Sequence, residues 1–125
     1  MDSFQADLDN LSIYPDLDPG SLRQRLRTFP IQCQVAWNEA MDITLPREYR
    51  EVKRVVVVGM GGSAIGGDLL ADLASLEDSL PIVVCRNYDI PSYVDKTTLV
   101  LACSYSGNAE ETLSTFKQAI RKGAK

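Results

Sequence analysis

The stretch Val55-Val56-Val57-Val58-Gly59-Met60-Gly61-Gly62-Ser63-Ala64-Ile65-Gly66-Gly67 decides the fold. Four consecutive valines have no amphipathic period, so they read as a strand buried on both faces, the kind found in parallel sheets. The glycines that follow allow a tight turn and a close backbone approach to a ligand, because glycine tolerates positive φ and carries no Cβ. From about Ala64 the spacing becomes helical through Leu69, Leu70 and Leu73. A strand, a glycine-rich turn and a helix N-terminus together make an anion site. Orphan amides and the positive end of the helix dipole point at whatever occupies the turn. A phosphate cradle is the expected use.

Working outward, two more buried-type strands are expected. Leu80-Pro81-Ile82-Val83-Val84-Cys85 is the second, and Thr98-Leu99-Val100-Leu101-Ala102-Cys103 the third. Between them, Pro91-Ser92-Tyr93-Val94 reads as a turn or short helix. After the third strand comes Ser104-Tyr105-Ser106-Gly107-Asn108, then a helix from Ala109 to about Lys122. Asn108, with Glu111 three residues on, fits an N-cap with a box-like partner.

This β-α-β-β-α order implies parallel strands joined by right-handed crossovers. The third strand then falls on the far side of the first, giving order 2-1-3. The carboxyl ends of strands one and three flank the switch point, where ligands of open α/β sheets bind. Both unusual loops lie there. Gly61, Gly62 and Ser63 offer amides and a hydroxyl, while Ser104, Ser106 and Thr112 add hydroxyls beside a second helix N-terminus. Such neutral donors suit a phosphate monoester, which accepts many hydrogen bonds. The plainer alternatives are a tight strand–helix connection for the glycines, local capping by Ser104 and Ser106, and packing for Thr112. Glu110 and Glu111 read as partners of the helix dipole more readily than as a general base. They would repel a phosphate unless their side chains point outward.

Upstream, residues 1–50 read as a helical arm. Its start is acidic (Asp2, Asp7, Asp9) and rich in turn formers, Tyr14-Pro15-Asp16 and Asp18-Pro19-Gly20. Ser21 can cap a helix through Leu22, Leu26 and Phe29, which Pro30 is expected to break or kink. Helical spacing resumes from Ile31 to Met41 with Val35 and Trp37, in a segment expected to cover the sheet.

Composition sets limits. The 125 residues, with 45% apolar and 24% charged, suit one soluble globular domain. A net charge of −4 argues against a nucleic-acid partner, which needs a basic face. No apolar run approaches the roughly 18 residues of a membrane span, and the acidic start is unlike a signal peptide. Cys33, Cys85 and Cys103 are odd in number and widely spaced, as expected of reduced thiols in a cytoplasmic protein. There is no histidine, so Ser-His and Cys-His chemistry and most metal sites are excluded within the chain.

Gly59-Met60-Gly61-Gly62-Ser63-Ala64 also matches the G-x-G-x-x-G/A dinucleotide fingerprint. The acidic residue that would support it after strand two is missing. Arg86 stands near that place, favouring a 2′-phosphate if a dinucleotide binds at all. A Walker A loop is excluded, because Gly66-Gly67-Asp68 lacks the Lys-Ser/Thr pair.

Taken together, residues 59–68 and 104–112 closely resemble the SIS (sugar isomerase) domain, and more narrowly the bifunctional phosphoglucose/phosphomannose isomerase family. The resemblance covers roughly residues 50–125. It implies a three-layer α/β/α, flavodoxin-like fold with a parallel sheet, of which residues 51–125 are the incomplete N-terminal portion. It implies that Gly61, Gly62, Ser63, Ser104 and Ser106, with Thr112 beside them, hold the phosphate of glucose 6-phosphate, mannose 6-phosphate or fructose 6-phosphate. No cofactor is implied, and the full-length parent would be a cytoplasmic homodimer. The family usually carries threonine where this chain has Ala109, so one hydroxyl contact is lost, at a cost to affinity or to the placing of the helix start.

The family's catalytic glutamate, histidine and arginine lie further along than Lys125. The chain therefore reads as a truncated segment, with no catalytic residue of its own and an open edge on its third strand. It is expected to anchor phosphate weakly and to be inactive alone. The alternatives are a non-catalytic SIS sensor or regulator, and an NADP-binding Rossmann fragment.

Overall fold

The computed structural model describes residue 7 and residues 9–125, so the acidic Asp2 lies outside the described residues. The chain divides into two compact units, one reaching to Thr44 and one running from Leu45 to Lys125.

In the first unit a 3-10 turn (Leu11–Ile13) runs into the one-turn helix α1 (Tyr14–Leu17), followed by the long helix α2 (Leu22–Met41). The expected cap, Ser21, has φ of 55° and makes no side-chain capping bond. Asp18 does that work instead. Its Oδ1 accepts from the Leu22 amide at 2.7 Å and its Oδ2 from the Arg23 amide at 2.8 Å. A carboxylate serves well here, since the helix end carries a partial positive charge.

Pro30 does not break α2, which runs from Leu22 to Met41 across it. One turn earlier, the Thr28 hydroxyl donates back to the carbonyls of Gln24 (3.2 Å) and Arg25 (3.1 Å). None of α2's residues is buried, and Leu26, Phe29, Trp37 and Met41 are exposed.

The second unit begins with a 3-10 turn (Arg47–Glu51) and enters strand β1 (Arg54–Gly59). Helix α3 (Gly62–Ser75), strand β2 (Ile82–Cys85), strand β3 (Thr98–Cys103) and helix α4 (Glu110–Arg121) follow. The sheet is parallel, with order β2-β1-β3. That is the order the topology rule gave.

Alternation along β1 separates the two faces of the sheet. Val57 and its neighbour Val84 meet α3 at Gly67, where an added Cβ would lie 2.8 Å from Val57 Cγ1 and 3.1 Å from Val84 Cγ2. On the other face Val56 and Val58 cluster with Cys85, Ile90, Val94 and Ala119 of α4. Helix, sheet and helix therefore stack as three layers. Residues 91–94 form a turn, closed by the Val94 amide on the Pro91 carbonyl at 3.1 Å.

The outer edge of β3 is partly covered. The Val100 amide donates to the Lys125 carbonyl (2.7 Å), and the Lys125 amide to the Thr98 carbonyl (2.9 Å). The chain thus returns from α4 to lie beside β3, where the sequence suggested an open edge.

Two outcomes are expected. Gly67→Val destabilises the second unit by about 1–3 kcal/mol through overpacking, whereas Gly66→Ala, with nothing within 4 Å of the new Cβ, is neutral or stabilising. Denaturant unfolding of both variants checks this. Separately, the Arg23 and Leu22 amides hold the half-buried Asp18 carboxyl below its ordinary 3.8. Its capping contribution is therefore present above about pH 4 and is lost as pH falls through the lowered native value. An NMR titration of the Asp18 carboxyl should place its midpoint below 3.8.

Candidate functional site

The two loops that leave β1 and β3 start side by side because Gly59 has no side chain. A Cβ on Gly59 would sit 2.8 Å from the Cys103 carbonyl oxygen, a separation that real Cβ atoms do not tolerate. Gly59 and Cys103 are register partners. The chain then turns at Gly61, with φ of 51° and ψ of −129°, and enters α3 directly.

Ser63 joins the loops. Its hydroxyl oxygen accepts a hydrogen bond from the Tyr105 amide at 3.2 Å. A hydroxyl has one hydrogen to give and two lone pairs, so Ser63 can hold the serine loop and still donate to an anion. Its own amide is engaged with the Met60 carbonyl at 3.0 Å, and the Ala64 amide with the Gly61 carbonyl at 3.1 Å. The Ser63 and Ala64 amides are therefore already engaged within the turn.

Across the crevice the serine loop folds on itself. Ser106 Oγ accepts from the Asn108 amide at 3.2 Å, the Gly107 amide donates to the Ser104 carbonyl at 3.3 Å, and Gly107 has φ of 71°. Ser106 thus makes a local turn bond, and it does not cap α4. Asn108 is not the N-cap of α4. Ala109 holds that position with φ of −62° and ψ of 117°, and it has no side chain able to cap. The local turn places Asn108 one residue too early.

Neither α3 nor α4 carries a side-chain N-cap. Uncapped first-turn amides need another acceptor, from water or a ligand. Thr112, in the first turn of α4, is only 4% exposed, and its Oγ1 is the buried side-chain polar atom without a hydrogen-bond partner among the described residues. A buried unpaired hydroxyl costs stability unless a ligand or water meets it.

Two acidic groups nearby, Glu110 and Asp68, have partners. Tyr88 Oη donates to Glu110 Oε2 at 3.3 Å. The Glu111 charge, then partial burial, then Glu110 hold the Tyr88 phenol above its ordinary value, so it stays protonated. Arg86 forms an ion pair with Asp68 of α3. Sequence reasoning did not single out Tyr88 or Gln118. Gln118 Nε2 donates to the Tyr88 carbonyl at 2.7 Å, and its Oε1 accepts from the Ile90 amide at 3.2 Å. Among the described residues, no group of three or more His, Cys, Asp or Glu side chains could hold a metal ion. No helix among them is long and apolar enough to cross a membrane.

Comparison with known proteins places this arrangement. A bifunctional phosphoglucose/phosphomannose isomerase of Caldicellulosiruptor bescii is 46% identical over 96 residues, covering 77% of this chain and 28% of that protein. One of Thermoplasma acidophilum is 49% identical over 71 residues, covering 57% of this chain and 22% of the relative. The chain belongs with the bifunctional phosphoglucose/phosphomannose isomerases. The match spans 28% of the length of the first isomerase and 22% of the second. A D-glucosamine-6-phosphate 4-epimerase of Sulfolobus acidocaldarius is also similar, 36% identical over 94 residues, or 71% of this chain and 28% of the epimerase. No family model matches the chain, and no solved structure matches it.

Ser63→Ala removes the acceptor of the Tyr105 amide. Exchange of that amide should quicken by roughly two- to tenfold, the equivalent of one ordinary hydrogen bond, with α3 unchanged by circular dichroism.

Proposed function

We propose that this chain is the phosphate-anchoring segment of an aldose–ketose isomerase. The whole enzyme would interconvert glucose 6-phosphate or mannose 6-phosphate with fructose 6-phosphate through a cis-enediol(ate). In this reading residues 51–125 are the N-terminal portion of a SIS domain, residues 1–50 are a helical arm, and the parent enzyme is a cytoplasmic homodimer.

One observation carries the reading. Two helices without side-chain caps begin at the carboxyl edge of one parallel sheet, and the first turn of α4 holds a buried Thr112 hydroxyl that has no partner among the described residues. A phosphate monoester would supply acceptors for the Gly61 and Gly62 amides, the first-turn amides of α4, and the hydroxyls of Ser63, Ser104, Ser106 and Thr112. The relatives' names support a phosphorylated sugar over other anions.

The segment's contribution to the chemistry is binding and orientation. Proton transfer between C1 and C2 needs a positioned base. Glu110, in the first turn of α4, is bonded to Tyr88, and the base is expected from outside these residues. Anchoring the distant phosphate fixes the reacting carbons, and that remote binding energy lowers the barrier only when the catalytic groups are present. Alone, the chain should bind weakly and turn over nothing. The dinucleotide reading loses support because Arg86, the cation it needs for a 2′-phosphate, is paired with Asp68.

Thr112→Val tests the anchor. Calorimetric titration with fructose 6-phosphate should show affinity falling roughly 10- to 100-fold, as for one hydrogen bond to a charged group, with the fold retained. NADPH should give no saturable heat. Binding of NADPH but not of fructose 6-phosphate would contradict the reading.

A further inference from the structure

The segment after β2, residues 86–91, touches both helices whose N-termini build the site. Arg86 pairs with Asp68 of α3, and the Tyr88 phenol donates to Glu110 of α4 at 3.3 Å. The segment is held from below. Ile90 is buried in the core, and both ends of the Gln118 amide grip the backbone, Nε2 on the Tyr88 carbonyl at 2.7 Å and Oε1 on the Ile90 amide at 3.2 Å. Gln118 is itself steadied by Ser114, whose Oγ accepts from Nε2 at 3.2 Å.

This bracing bears on an electrostatic conflict. Glu110 and Glu111 occupy the first turn of α4. There a carboxylate is favoured by the helix dipole, but it competes with any anion for the same amides. A phosphate bound at this turn would meet like charge at close range unless the carboxylate is held elsewhere.

We propose that Tyr88, set in place by Gln118, is a positioning residue for anion binding: its phenol holds the Glu110 carboxylate on the β2-loop side of α4 and leaves the first-turn amides to the phosphate. This rests on the proposed phosphate site and adds a residue from a third loop to it. Tyr88 touches no substrate in this role. It acts through Glu110. The nearby Glu111 charge keeps the phenol protonated, so the donor is retained.

The test is a double-variant cycle on the full chain, read by NMR titration with fructose 6-phosphate at low and high salt. Tyr88→Phe keeps the ring and removes the donor. It should weaken binding about threefold to tenfold at low salt, the scale of one freed charge near the surface, and by less at high salt. Adding Glu110→Gln to Tyr88→Phe should restore the wild-type affinity. A Tyr88 that only supported the fold would give a loss indifferent to salt and not restored by Glu110→Gln. Gln118→Leu, which frees the loop without touching the phenol, should show the same salt-dependent loss and the same rescue. Wild-type affinity in Tyr88→Phe, or a loss that Glu110→Gln does not restore, overturns the proposal alone. Failure of the wild-type chain to bind fructose 6-phosphate overturns the phosphate reading and this proposal together.

Discussion

Everything at the carboxyl edge of the sheet depends on how closely β1 and β3 can finish. Gly59 lies against the Cys103 carbonyl, where a single added carbon would be 2.8 Å from the oxygen. That approach lets two loops leave adjacent strand ends, so one hydroxyl, on Ser63, can reach the Tyr105 amide across them. Gly67 has the matching role between sheet and helix, bringing α3 down onto Val57 and Val84. The site is thus fixed by backbone proximity, with side chains added to it.

An acidic chain that holds an anion has to do so locally. The net charge of −4 gives no long-range attraction for phosphate. What remains is helix dipoles, free amides and hydroxyls, and these act only if nearby carboxylates are occupied. Asp68 is paired with Arg86, and Glu110 accepts from Tyr88. Both partners come from the same short segment after β2. In the proposed reading, neutral capture and local masking of charge are two sides of one arrangement, with Thr112 buried and, among the described residues, unpaired.

Much of the fold was legible because it rests on strong local signals. Four valines and the glycine turn announce β1 and α3, and the order β2-β1-β3 follows from right-handed crossovers between parallel strands. Helix starts were less legible. Ser21 and Asn108 have the right side chains for capping, but Asp18 makes the bonds for α2 while Ser21 keeps the position, and Ala109 holds the N-cap position of α4. Pro30 looked like a break, yet α2 runs through it from Leu22 to Met41. The grip of Gln118 on the Tyr88 carbonyl joins residues 30 apart in sequence, and no periodicity or motif reveals such a pair. The Thr112 position suggested a ligand contact; only the packing shows its hydroxyl to be without a partner.

The most direct test of a single phosphate site shared by two loops is an amide NMR titration of this chain with fructose 6-phosphate, run beside one with NADPH. The account predicts saturable shifts with the sugar phosphate at Gly61, Gly62, Ser104–Gly107 and Thr112 together, following one binding curve. Shifts confined to the glycine loop and produced only by NADPH would contradict it.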